Sequence, residues 1–283
     1  MNTIELSLPG LTIAGRTWGS KENPPILALH GWLDNANSFE PIAQYLQDRY
    51  YLIAIDLPGH GFSSHLPPGV HYHFIDGLFT VVQIIEALKL KPVHLLGHSL
   101  GACLASLVAS IAPQYLMSLS LIEGLGPLTR PPESTVMQLA AYLSGLNSPN
   151  RNNPKGYKDK ESAALVRAEK GYVSLEIAKT LCERGLREDN DLYYWRHDRR
   201  LFAPSPLQMT ETQVLSCLKE VRAKSLLVWA DNGFSFNNEL MKQRIQTVKN
   251  LQLSYLKGGH HIHMEQPQAV AELLAIFYEI QPD

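Results

Sequence analysis

Short apolar runs alternating with helix-length segments predict an α/β fold, in which a largely parallel sheet is covered by helices on both faces. Three observations carry this prediction. Residues 26–30, 51–56, 93–96, 119–123, 225–230 and 251–256 are strand-length apolar runs with little polar alternation, as strands buried on both faces require. Residues 39–47, 71–88, 100–111 and 237–248, and a last segment opened by Pro267 and running to about residue 280, have helical length and spacing. Gly97-His98-Ser99-Leu100-Gly101 joins one of these strands directly to one of these helices.

In chain order, residues 3–8 and 11–18 read as two strands joined at Pro9-Gly10, an antiparallel hairpin at the start of the sheet. Residues 26–30 end in His30-Gly31-Trp32-Leu33-Asp34, and residues 51–56 run into Leu57-Pro58-Gly59-His60-Gly61. Open α/β sheets place ligands in such loops, beyond the carboxyl ends of strands. Between residues 124 and 222 the regularity changes, with prolines, an Asn-rich stretch at 147–153, helical segments near 136–146, 163–170 and 175–184, and no short apolar strand. Tyr193, Tyr194, Trp195 and Phe202 supply packing material there, so the segment reads as a mostly helical insertion rather than disorder. It would form a lid between the core pieces 1–123 and 223–283.

The 283 residues are 45% hydrophobic and 18% charged, with a formal net charge of −2. That balance offers no basic field to nucleic acid and no polybasic signal to a membrane. No stretch is apolar enough to span a bilayer and the first residues do not read as a signal peptide. Cys103, Cys182 and Cys217 cannot all pair and show no C-x-x-C spacing, which indicates neither a disulfide framework nor a thiolate zinc site. A reducing cytosol is the expected compartment.

Residues 97–101 fit G-x-S-x-G, a turn sharp enough to hold the Ser99 hydroxyl above the sheet edge at a helix N-terminus. A serine hydroxyl is a poor nucleophile until a base takes its proton, so the site needs an imidazole, a group to orient it, and donors for a developing oxyanion. His260, in a Gly-rich loop after the last strand, is the best base. The rival reading makes His260, His261 and His263 metal ligands, but no second cluster with ligand spacing supports it; His261 and His263 are expected to be solvated loop residues, and no metal is expected. The oxyanion donors would be the backbone N–H groups of Leu100 and Trp32, with His30 and Asp56 bracing their loops.

His30-Gly31-Trp32, Asp56-Leu57-Pro58-Gly59-His60-Gly61, Gly97-His98-Ser99-Leu100-Gly101 and Gly259-His260, with Glu265 and Pro267 behind, resemble in order the landmarks of the α/β-hydrolase superfamily. The longer runs from His30 to Ala36 and from Pro58 to His65 look most like its serine hydrolase-like proteins. The resemblance is weak across the insertion. It implies an eight-stranded, mostly parallel sheet, a helical lid, no cofactor, and Ser, acid and His in that chain order.

One landmark departs from the pattern. Most superfamily members carry the acid in a Gly-x-x-Asp setting after the strand matched here by residues 225–230, and the matching position is Gly233, with Asp231 and Asn232 just before it. Some relatives place the acid after the strand that follows the nucleophile helix, which here is Glu123. A carboxylate ending an apolar strand needs a partner, and an imidazole N–H supplies one, so Glu123 is favoured over Asp231. Together these residues describe a serine hydrolase that cleaves a small carboxylic ester or related acyl compound through an acyl-enzyme. The competing readings are a catalytically silent ligand-binding protein and a C–C bond hydrolase or perhydrolase with the same machinery.

Overall fold

Ten strands and ten helices account for most of the residues that the computed structural model describes, which are 2–146, 154–171, 173–234 and 238–279. The strands are β1 (Asn2–Leu8), β2 (Leu11–Trp18), β3 (Pro25–Leu29), β4 (Tyr51–Ile55), β5 (Val93–His98), β6 (Leu116–Ile122), β7 (Leu186–Asp189), β8 (Leu192–Trp195), β9 (Ser225–Asn232) and β10 (Leu251–Gly259). The helices are α1 (Glu40–Leu46), α2 (Phe74–Leu88), α3 (Leu100–Ile111), α4 (Thr135–Leu146), α5 (Lys160–Gly171), α6 (Leu175–Gly185), α7 (Glu211–Lys219), α8 (Asn238–Thr247), α9 (Ile262–Glu265) and α10 (Pro267–Glu279).

Eight strands form one sheet in the order β1-β2-β4-β3-β5-β6-β9-β10. The β1–β2 pairing is antiparallel, as the Pro9-Gly10 hairpin predicts, β2–β4 is also antiparallel, and the other five are parallel. The interior strands lack polar alternation because each face has its own helices. Leu27, Leu29, Ile53, Ile55, Leu95 and Leu121 pack toward α2, α3 and α7, whereas Ile26, Ala28, Leu52, Ala54, Leu96 and Ile122 pack toward α1 and α10. A period of two that meets core on both sides reads as a continuous apolar run.

The segment between β6 and β9 carries α4 to α7 and the two-stranded β7–β8 hairpin. That hairpin adds to the expected mostly helical segment, in which the sequence shows no short apolar strand. Its sequences, Leu-Arg-Glu-Asp and Leu-Tyr-Tyr-Trp, are polar or aromatic rather than continuously apolar, and it stands outside the main sheet, with Tyr193 making a further antiparallel bridge to Tyr157. Ser174 caps α6 by accepting from the Ile177 amide, and Thr210 and Gln213 form a reciprocal capping box on α7. Val214 and Leu218 of α7 belong to the same buried cluster as α2 and α3. Helices α5 and α6 share a small cluster of their own through Ala163, Ala164, Ala178 and Cys182. The Asn-rich stretch at 147–153 lies outside the described residues.

His94 of β5 is buried against Tyr50 and Tyr278, with Nδ1 2.8 Å from the Ser118 hydroxyl, and burial pushes its pKa down to about 4. Burial also brings His60 and His263 down to about 3. Between those values and the unfolded-state value near 6.5, the unfolded chain binds more protons than the folded one, so stability falls as pH falls. Each such group contributes a slope of about 1.4 kcal/mol per pH unit in that window. Urea unfolding between pH 6.5 and 4.5 should show this acid loss, and His94→Asn, which keeps a hydrogen-bonding atom at the Nδ1 position, should flatten it by about one group's slope. Equal slopes for the two proteins would show that His94 contributes nothing.

Candidate active site

Residue 99 is where strand β5 becomes helix α3 with no intervening loop. Ser99 takes φ 51° and ψ −112°, a conformation costly for a side chain other than glycine, and its amide donates to the Ile122 carbonyl at 2.9 Å. The turn closes because the residues two positions to either side, Gly97 and Gly101, have no Cβ. One on Gly101 would lie 2.0 Å from the Leu29 carbonyl oxygen, and one on Gly97 would lie 2.4 Å from the Gly101 carbonyl oxygen. This geometry stands Ser99 at the N-terminus of α3.

His260 follows the last residue of β10, and its Nε2 lies 2.9 Å from Ser99 Oγ although 161 positions separate them in sequence. Its Nδ1 lies 3.1 Å from Glu123 Oε2. Glu123 stands one residue beyond β6 at φ 54° and is fully buried. Its Oε1 accepts from the Ala230 amide at 2.7 Å, and its Oε2 accepts from the Phe234 amide at 2.9 Å. A Cβ on Gly233 would lie 2.0 Å from Glu123 Oε2, so a side chain at 233 and this placement of Glu123 exclude one another. Asp231 turns away, its Oδ1 accepting from the Gly258 amide at 2.9 Å and from the Asn232 side-chain amide at 3.1 Å.

The amides beside Ser99 and after β3 divide into those already bonded and those open. Leu33 donates to His60 Nε2 at 3.2 Å, Asp34 to the Gly31 carbonyl and Gly101 to the His30 carbonyl, both at 3.1 Å. No bond of this kind from the amides of Trp32 or Leu100 occurs among the described residues. Leu100 is the first residue of α3, where an N–H has no intrahelical acceptor. The Trp32 indole is half exposed, donates to the Leu201 carbonyl at 3.3 Å and meets the Phe202 ring edge-on.

The bracing roles read for His30 and Asp56 hold. His30 donates from Nδ1 to the Gly31 carbonyl at 2.7 Å and accepts the Leu57 amide at Nε2 at 2.9 Å. Asp56 accepts from the amides of Ala36 and Phe62, each at 2.8 Å, and pairs with Arg184 of α6 at 2.8 Å.

The reading of His261 and His263 as solvated is corrected, for both are buried. Residues 262–265 turn at once into α9, which carries the two rings inward against Phe39 and His98 rather than out to solvent. His261 Nε2 lies 3.1 Å from Asp34 Oδ2, whose other oxygen accepts from Arg167 of α5 at 2.5 Å. Burial opposes ionisation of Asp34, but His261 and Arg167 outweigh it and hold the carboxyl well below the usual carboxylate range. Asp34, His98 and His261 bring ligand-type atoms within 4.8 Å of one another, the one such group identified among the described residues. Arg167 already neutralises that carboxylate, so a divalent cation would add uncompensated charge to a buried pair, and these residues are poorly matched to a metal. Sequence reasoning missed Asp34, His98 and Arg167. The first two lie inside quoted motifs without an assigned role, and Arg167 carries no signal at all.

A family model described as the alpha/beta hydrolase fold matches residues 24–267. A serine hydrolase-like protein of Dictyostelium discoideum is 32% identical, the alignment covering 95% of this chain and 79% of that protein. One of Danio rerio is 28% identical over 99% of this chain and 89% of its own length. Among solved structures, a hypothetical protein of Pseudomonas aeruginosa PAO1 is similar at TM-score 0.93 and 33% identity, covering 99% of this chain and 100% of that one. The thioesterase domain of the curacin biosynthetic pathway is similar at TM-score 0.87 and 29% identity, covering 97% and 99% respectively. With the eight-stranded sheet, the strand-to-helix turn at Ser99 and these matches taken together, the chain belongs to the α/β-hydrolase fold family.

Proposed function

We propose that this protein is a serine hydrolase that cleaves a small carboxylic ester or related acyl compound, with Ser99 as nucleophile, His260 as base and Glu123 as the orienting acid. The observation that carries the proposal is the continuous line from Ser99 Oγ to His260 Nε2 at 2.9 Å and from His260 Nδ1 to Glu123 Oε2 at 3.1 Å. Ser99 Oγ attacks the acyl carbon as its proton passes to His260 Nε2, and the Nδ1–H donated to Glu123 keeps the ring in the required tautomer. The amides of Trp32 and Leu100 hold the oxyanion of the tetrahedral intermediate. His260 then protonates the departing alcohol, leaving Ser99 acylated. Water attacks the acyl carbon, gives its proton to His260, and the carboxylic acid departs as Ser99 recovers its proton.

The insertion, residues 124–222, would serve as a lid, tied to the core through Arg184 and Arg167. No helix among the described residues is long and apolar enough to cross a membrane. Burial pushes the Cys103 and Cys182 thiols up to about 12, so they stay protonated and unreactive. The departure at Gly233, the best sequence argument for a silent binding protein, has a physical cause in the Glu123 carboxylate that fills the space.

Incubation with a fluorophosphonate probe should label the native protein at Ser99 and leave Ser99→Ala unlabelled; an unreactive native protein with p-nitrophenyl esters untouched would favour the silent binder. Graded chain lengths in those esters would report the size of the acyl group. Glu123→Gln should lower kcat by roughly 10³- to 10⁴-fold, whereas Asp231→Asn should change it by no more than a few-fold. Because the two acid seats share one space, Gly233→Asp added to Glu123→Ala should recover at least about tenfold of the activity lost in Glu123→Ala alone. Gly233→Asp in the native background should instead clash and reduce both activity and Tm. A double variant no better than Glu123→Ala would sink the shared-seat argument.

A further inference from the structure

We propose that Asp34 and His98 are positioning residues for His260, holding the chain at residues 260 and 261 from behind while the imidazole faces Ser99; this rests on the assignment of Ser99 and His260 above. Residue 260 lies just past the last paired residue of β10, so the strand ladder does not fix its backbone. His98 Nε2 lies 2.9 Å from the His260 carbonyl oxygen. A carbonyl can only accept, so the His98 proton is on Nε2 and the fully buried ring serves as a fixed neutral donor. Its pKa lies well below the usual histidine value, first through burial and then through the neighbouring rings of His263, His261 and His260.

One residue further on, the His261 side chain donates to Asp34 Oδ2 at 3.1 Å. Asp34 is itself fixed by Arg167 at 2.5 Å and by its own amide bond to Gly31 at 3.1 Å. Consecutive residues are therefore held by different groups, one through the backbone and one through the side chain. Both anchors also belong to other parts of the site. His98 immediately precedes Ser99, and Asp34 closes, by its amide bond to the Gly31 carbonyl, the turn that carries the Trp32 amide. Nucleophile, amide donor and imidazole are thus brought to one register by the same pair. A shift of the 260–261 backbone would move the ring without emptying the core, which separates this role from packing.

The test compares His98→Gln, whose side-chain amide reaches about as far as imidazole Nε2, with His98→Leu, which fills similar space and donates nothing. Asp34→Asn serves as an independent variant on the other anchor. The readouts are kcat and KM for p-nitrophenyl acetate, Tm, and the downfield proton resonance of His260 Nδ1–H, assigned by its loss in Glu123→Gln. His98→Gln should stay within about threefold of native kcat, while His98→Leu should lose about 10²-fold at unchanged KM. The resonance should persist in the first and broaden in the second and in Asp34→Asn, with His98→Leu still melting cooperatively. Equal kcat and equal resonance in the Gln and Leu variants would overturn the proposal. If the native protein turns over no ester and takes no probe, the hydrolase reading fails by itself, and the resonance still decides whether these residues position His260.

Discussion

A carboxylate with no exposure to solvent has to be paired on every side, and Glu123 is the residue around which that demand is met. Its two oxygens accept from the amides of Ala230 and Phe234 and face His260 Nδ1, so the ends of β6, β9 and β10 are bound to one side chain. Removing the carboxylate would leave the buried Ala230 N–H without this acceptor, a cost of about 1–3 kcal/mol. The same arrangement requires glycine at 233, because no other residue leaves room for the carboxylate beside the amide of Phe234. An acid at 123 and a bare backbone at 233 are two expressions of one fit.

The insertion is bound to the core by apolar packing of Val214 and Leu218 and of Ile177 and Leu181 against Met264, and also by a set of polar contacts. Arg184 of α6 reaches the buried Asp56, Arg167 of α5 reaches Asp34, and the side-chain amides of Asn35 and Asn37 donate to the carbonyls of Leu181 and Thr180. All four core residues lie at the carboxyl ends of β3 and β4, in the loops that also carry Trp32 and His60. Breaking a buried pair such as Asp56–Arg184 by removing one partner leaves an uncompensated charge and costs about 3–5 kcal/mol. The insertion and the loops around Ser99 are therefore energetically one unit.

Most of the fold was legible because its signals are local. Apolar runs gave the strands to within a few residues, and Gly97, Ser99 and Gly101 gave the turn, since its steric requirement is written in five consecutive positions. Glu123 was legible as a misfit, a carboxylate ending an apolar strand, although the choice between it and Asp231 depended on which side of the sheet edge each faces. The β7–β8 hairpin was not legible, because a two-stranded ribbon outside the main sheet needs neither an apolar run nor alternation. Nor was the burial of His261 and His263. A Gly-rich loop with three histidines looks solvated until the immediate turn into α9 directs the rings inward. Contacts that join positions 34, 98, 167 and 261 have no sequence spacing to betray them.

The histidines behind Ser99 show how one residue type serves opposite ends. His98, His261 and His263 are buried, and burial keeps the rings of His98 and His263 neutral at physiological pH, where a neutral imidazole is a rigid plate with one donor and one acceptor. His260 is the member of the group that retains exposure, with about a quarter of its side chain open, and it is the one whose ring lies between a hydroxyl and a carboxylate. In the proposed role of base, that ring meets water on one side and a paired carboxylate on the other. A rigid donor must never gain a proton, and complete burial enforces that. Moving exposure between these neighbouring rings would exchange their chemistry, which makes the inward turn of α9 as much a part of the proposed site as the hydroxyl it surrounds.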